Sequence, residues 1–116
     1  MAQETINYIE WPADDLAAVK AFYSKVFDWQ FTDYGDSYTA FKEVRLEGGF
    51  FKSPLASSTA NGAALVVLYS AELEQSLEKV VAAGGTIIQA IFPFPGGRRF
   101  HFADPCGNEL AVWSDR

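Results

Sequence analysis

The sequence predicts an α+β protein made of two βαβββ modules, whose antiparallel strands form a concave, cupped sheet with the helices outside. Three observations predict it. The pattern strand, helix, strand, strand, strand occurs twice, at an offset of about 57 residues early in the modules and about 62 late in them. The chain has 116 residues, 49% of them hydrophobic and only 21% charged, which suits one compact unit with a real core and argues against disorder. The stretch from Arg98 to Trp113 alternates apolar and polar residues on both sides of a Pro-Cys-Gly turn, the pattern of a half-buried hairpin.

Residues 6–11 read as a strand, with Ile9 and Trp11 toward the core and Tyr8 and Glu10 on the opposite face. Pro12 and Asp14 open a helix with Asp14 as its N-cap, and Leu16, Val19, Phe22, Tyr23 and Val26 recur at helical spacing. Residues 29–32 form a strand, Gly35-Asp36-Ser37 a turn, and residues 38–46 and 49–52 two more strands joined through Glu47-Gly48. These elements make a first module, residues 5–52, followed by a linker of Ser, Pro, Ala, Thr and Gly composition, residues 53–62. The second module, residues 63–114, repeats the plan. An apolar strand over 63–69 leads to a helix capped by Ser70, with Leu73, Leu77 and Val80 buried and Gly84-Gly85 ending it. A strand over 86–92 and a loop over 94–97 precede the final hairpin. There Pro105 presets φ, Gly107 can take a positive φ, and Asp104 closes the turn through its own carboxylate. Phe100, Phe102, Leu110 and Val112 face the core, while Arg99, His101, Glu109, Ala111 and Trp113 face the other way. A one-residue slip would expose two phenylalanines, so this register is strongly set.

Composition excludes several classes of function. The net charge is −6, so nucleic acid is not an expected partner, and neutral or cationic ligands are favoured. No run of 18 apolar residues is present, so no membrane-spanning helix is expected. The first residues lack a basic stretch followed by an apolar one, so no secretory signal is expected. The single cysteine, Cys106, makes no internal disulfide, and a reducing, cytoplasmic setting fits it. No basic residue neighbours it to lower its pKa, which favours an inert thiol over a nucleophile. No phosphate-binding loop and no Ser-His-Asp order occurs.

Asp15-Leu16 followed by Phe22-Tyr23, Gly84-Gly85 after the second helix, and Asp104-Pro105-Cys106-Gly107-Asn108 in the last hairpin together resemble the vicinal-oxygen-chelate superfamily. That superfamily includes glyoxalase I, bleomycin-resistance proteins, fosfomycin-resistance proteins and extradiol dioxygenases. The resemblance implies the paired βαβββ fold, a homodimer and a divalent metal in the cavity. It also implies where the metal ligands would fall: Tyr8, Gly49 or its neighbour, Leu65 and Ala111. These side chains offer at most one donor, a phenol, whereas such cations need three or four oxygen or nitrogen ligands. No metal and no other cofactor is therefore expected.

What remains on the cavity face is His101, the only histidine of the chain, with Glu10 and Glu109, and aromatic walls from Tyr8, Phe51, Tyr69 and Trp113. Glu10 is the carboxylate expected to pair with His101, which would favour the protonated ring and make it a donor or general acid. His101 could equally be a hydrogen-bonded strand residue, and Arg98-Arg99 could meet an anion or simply be solvated. Two functions follow. One is a metal-free protein that binds an unidentified small molecule without changing it. The other is an enzyme of lyase/isomerase type or dioxygenase-like, using His101 and Glu10 as acid–base groups or an atypical metal site of Glu10, His101 and Glu109.

Overall fold

The computed structural model describes residues 3–116. Their elements are β1 (Tyr8–Ala13), α1 (Leu16–Phe27), β2 (Gln30–Asp33), β3 (Tyr38–Lys42), β4 (Glu47–Lys52), a 3-10 turn (Thr59–Asn61), β5 (Val66–Tyr69), α2 (Leu73–Ala82), β6 (Thr86–Phe94), β7 (Gly97–Ala103) and β8 (Glu109–Ser114). Two four-stranded sheets form, ordered β1-β4-β3-β2 and β5-β8-β7-β6, so each repeats one strand-helix-strand-strand-strand plan. The sheets are mixed rather than wholly antiparallel. β1 runs parallel to β4, and β5 to β8. The reason is topological: the helix crossover returns the chain in its original direction, and the two hairpins that follow leave β4 and β8 pointing the same way.

Local chemistry shifts several boundaries from those the sequence predicts. β1 continues through Pro12, which is tolerated because β1 is the edge strand of its sheet. α1 is capped not by Asp14 but by Asp15, whose side chain accepts the Ala18 N–H at 3.1 Å, and Asp28 ends it in the left-handed region at φ 62°. Ser70 does not cap α2. Its hydroxyl accepts from the Glu72 N–H and from Ser76 Oγ, and Glu72 holds the cap position without a side-chain bond. The β3–β4 turn falls at residues 43–46, where the Glu43 carboxylate accepts from the Arg45 and Leu46 N–H groups. Glu47 and Gly48, expected in that turn, are strand residues. Gly48 is there because a Cβ would run into the Ile9 carbonyl and the Phe41 ring.

The core lies between the sheets and the helices. Tyr23 stacks on Trp29 at 4.6 Å between centroids, Trp29 on Phe41 at 4.4 Å, and Trp11 on Phe50 at 5.6 Å. α1 also reaches the second sheet, with Phe22 and Phe27 at 5.8 and 5.9 Å from Phe102. Burying each such ring stabilises the fold by about 1.5–3 kcal/mol.

Polar side chains then join the two halves. In the β7–β8 turn, Asp104 Oδ1 accepts from the Cys106 and Asn108 N–H groups at 2.8 and 3.1 Å. Its Oδ2 accepts from Tyr23 Oη at 2.9 Å and Asn108 Nδ2 at 3.1 Å. Asn108 Nδ2 also donates to the Pro12 carbonyl at 2.7 Å, and Asn108 Oδ1 accepts the Ser57 N–H at 2.9 Å. Burial pushes the Asp104 carboxyl up, against the hydrogen bonds that favour its ionised form. The residue set that marks the turn in the sequence thus fastens α1, β1 and the connector between the halves to the second sheet. Replacing Asn108 with Ala would leave the Pro12 carbonyl and the Ser57 N–H without these partners, at about 1–3 kcal/mol each. Asn108→Ala should therefore lose about 2 kcal/mol or more of stability, read as a lower midpoint in urea with an unchanged slope.

Candidate functional site

On the second sheet, His101 on β7 stands beside Ala111 on β8, facing away from the core as the alternation predicts. The ring is buried, at 8% exposure, and fully bonded. Its Nδ1 lies 3.0 Å from Glu109 Oε2, and its Nε2 accepts from Arg99 Nε at 3.2 Å, with Arg99 Nη2 at 2.9 Å. A guanidinium only donates, so Nε2 is an acceptor and Nδ1 carries the proton that goes to Glu109. The ring is neutral in this arrangement. It is not the cationic donor that pairing with Glu10 would make.

Glu109 is held on its other side by the connector. Oε1 accepts from the Thr59 N–H at 3.0 Å and Thr59 Oγ1 at 2.9 Å. Burial would raise this carboxyl, but the bonds from His101 and Thr59 outweigh it and leave the pKa below the usual value. The chain Thr59–Glu109–His101–Arg99 therefore orients one guanidinium. That guanidinium lies over the Phe92 ring at 5.6 Å and the Phe94 ring at 5.7 Å. Trp113 packs against Phe94 at 6.1 Å and against Tyr69 at 5.2 Å, and Tyr69 Oη donates to Asp115 at 2.6 Å. A cavity of about 310 Å³ opens between Val67, Phe94, Gly96, Arg99 and Trp113.

The remaining predicted site residues lie on the first sheet. Glu10 does not pair with His101; its Oε2 accepts from Tyr38 Oη at 2.8 Å, and Tyr38 Oη lies 2.7 Å from Tyr8 Oη. Loss of solvent, together with the bonds to Tyr8 and Glu10, pushes the Tyr38 phenol well above its ordinary pKa. Phe51 is a neighbour of Tyr38 and Pro12 in register and is partly exposed. The structure thus brings together His101 with Glu109, Tyr69 with Trp113, and Tyr8 with Glu10, as three groups rather than one. Tyr38 has the right parity on its strand to be found by alternation. Thr59 had no local signal, because its partner is fifty positions away.

The positions where family metal ligands would fall do not make a metal site. Ala111 is buried and has no donor, and Leu65 precedes β5 with an apolar side chain. A Cβ at Gly49 would overlap the Tyr38 hydroxyl, so a phenol fills the space a ligand there would need. Among the described residues, no three His, Cys, Asp or Glu side chains come together. A larger cavity of about 820 Å³ follows the seam between the sheets, against Trp11, Trp29, Phe41 and Leu68. Its charged groups, Glu43 and Arg45, come from the β3–β4 turn, and Tyr69 and Trp113, two of the predicted pocket residues, also line it. The Cys106 thiol is pushed up to about 11 by burial and by Asp14, as an unreactive thiol should be.

A family model described as the Glyoxalase/Bleomycin resistance protein/Dioxygenase superfamily matches residues 5–112. No curated protein sequence matches the chain. Among solved structures, a glyoxalase-related enzyme from Fulvimarina pelagi superposes with a TM-score of 0.80 at 18% identity, covering 96% of this chain and 88% of that one. A lactoylglutathione lyase from Agrobacterium tumefaciens gives 0.72 at 22% identity, covering 98% and 96%. The fosfomycin resistance protein FosX from Listeria monocytogenes gives 0.80 at 16% identity, covering 97% and 94%. Likenesses at this identity establish the fold alone.

The depressed Glu109 pKa has a testable consequence. A carboxylate whose folded pKa lies below its unfolded one contributes stability above the unfolded value, about 4.3, and loses it as pH falls through the folded value. Between pH 5 and pH 3 the wild type should therefore lose more stability than Glu109→Gln, measured as the difference between their urea midpoints at each pH. Parallel curves would contradict the assignment.

Proposed function

Because the chain belongs to the glyoxalase/bleomycin resistance protein/dioxygenase superfamily, we propose that it is a small-molecule binding protein that works without a metal and leaves its ligand unchanged. The binding face is the side of the second sheet that carries the Arg99 cavity, where Trp113 forms part of the wall and His101, behind it, holds the Arg99 guanidinium. One observation carries the reading. The expected ligand positions supply no donor set, yet the same face keeps a polar chain oriented from Thr59 to Arg99 beside an apolar cavity. Such a wall, apolar with a few fixed polar groups, is what small-molecule pockets present.

The enzyme reading has less support. It needs Glu10 and His101 as an acid–base pair, and Glu10 is instead bonded to Tyr38 while His101 is bonded to Glu109. A lyase, isomerase or dioxygenase-like reaction would have to run from the His101–Glu109 pair alone, with Nε2 already occupied by Arg99.

Native mass spectrometry and elemental analysis of the purified protein test the proposal. The expected result is a non-covalent small-molecule adduct with metal far below one per chain; near-stoichiometric metal would overturn it. His101→Ala should weaken binding of the adduct molecule by about 10-fold or more, because Arg99 loses the acceptor that orients it, a bond to a charged group being worth about 1.5–3 kcal/mol. We also take the protein to be a homodimer, as the resemblance implies. Light scattering at micromolar concentration should give twice the 12.8 kDa chain mass, and a monomer would remove this part of the proposal.

A further inference from the structure

We propose that the cavity beside Trp113 is a receptor for a small carboxylate carried on a flat apolar group, with Arg99 as the residue that binds the carboxylate. This rests on the reading of the second sheet as the ligand face and adds the chemical class of the ligand.

The argument starts from an unmatched charge. Among the described residues, Lys20 pairs with Asp33, and Arg98 with Glu74 and the Arg116 carbonyl, but no carboxylate pairs with Arg99. Arg99 is nonetheless half-buried, with phenyl rings of Phe92 and Phe94 against its guanidinium. A cation partly withdrawn from water without a counter-charge is less well solvated there than in the open, and two ring faces offset part of that loss. The carboxylate closest in the hydrogen-bond chain, Glu109, is separated from Arg99 by the neutral imidazole and is already engaged by His101 and both Thr59 donors.

Geometry then says what completes the site. Arg99 directs Nε and Nη2 at a single atom, His101 Nε2, so one edge of the fork is used and fixed. The end-on edge, Nη1 with the second hydrogen of Nη2, has no acceptor among the described residues, and two parallel N–H groups match the two oxygens of a carboxylate. The rest of the cavity wall is Val67, Phe94, Gly96 and Trp113, and a volume of about 310 Å³ sits at the low end of small-molecule pockets, which run from about 300 Å³. A single flat ring bearing one carboxylate satisfies both walls. The net charge of −6 opposes an anion only at long range, because exposed charges are screened beyond about 8 Å in physiological salt, while Arg99 acts at contact. The ligand charge suggested by overall composition is thus reversed at this site.

Calorimetric titration with three probes tests the proposal: benzoate, its neutral analogue benzyl alcohol, and acetate. Benzoate should bind the wild type at least tenfold more tightly than either of the others. Arg99→Met should erase the preference for benzoate over benzyl alcohol while keeping the thermal midpoint within a few degrees. Arg99→Lys, which keeps the charge but not the fork, should reduce the preference at least threefold and carries the test if the Met variant does not fold. Equal affinity for benzoate and benzyl alcohol in the wild type would overturn the carboxylate assignment while leaving the ligand-binding reading intact, as would a preference that survives Arg99→Met. Saturable binding of none of the probes would overturn the carboxylate assignment, and the ligand-binding reading falls with it only if native mass spectrometry also finds no adduct.

Discussion

The architecture depends on two side chains in one turn. Asp104 and Asn108 hold their own hairpin closed and, with the same atoms, reach Tyr23 on α1, the Pro12 carbonyl on β1 and Ser57 in the connector. The first two reaches cross from the second sheet's hairpin to elements of the first module, and the third reaches the connector. The aromatic core makes the association of the halves favourable, but it is non-directional, and rings can slide. The hydrogen bonds from Asn108 have one satisfactory geometry, and a buried polar group that misses it is penalised. Hydrophobic contact therefore supplies the energy of the assembly, and this pair supplies its alignment. Everything on the concave face of the second sheet inherits its position from that alignment, because β8 begins at Glu109, the residue after Asn108.

How far the sequence could be read follows from the range of the interactions involved. Alternation is local, so the faces of β7 and β8 were legible: Phe100 and Phe102 in the core, His101 and Trp113 on the far side. The repeated plan was legible as two modules, though one cupped sheet was expected where two four-stranded sheets form, and Gly107 and Asp104 marked the turn. Parity, however, says which side of a sheet a residue takes, not which residue of another strand it will meet. Glu10 and His101 share a kind of face but lie on different sheets, so the pairing expected between them is not made. Thr59 sits in a stretch that reads as passive linker, and only the fold reveals it as a ligand of Glu109. Pro12 misled for the opposite reason. It is a strong local signal for a break, overridden because an edge strand has a side where no N–H is needed.

The first sheet shows how a site can be closed from within. Gly49 lacks a side chain, and the room this leaves is taken by the ring of Tyr38, whose hydroxyl is then shared between Tyr8 and Glu10. The arrangement turns what would be an open coordination sphere into a self-satisfied hydrogen-bond cluster. The second sheet differs, because its Arg99 guanidinium bonds to His101 and has no carboxylate partner among the described residues. The two halves share a topology but not a composition: the first contributes most of the aromatic stack of the core, the second, with the connector, the polar chain from Thr59 to Arg99.

The connector adds a dimension of time. The Thr59 amide proton rests on the Glu109 carboxylate, at the start of a single 3-10 turn with no buried side chain of its own. Segments of that kind open at far lower free energy than the strands beneath them. Each time this one lifts, Glu109 loses two of the three donors to its side chain and keeps the one from His101. Exchange of that single amide with solvent is therefore a clock for how often Glu109 is held from both sides and how often from His101 alone.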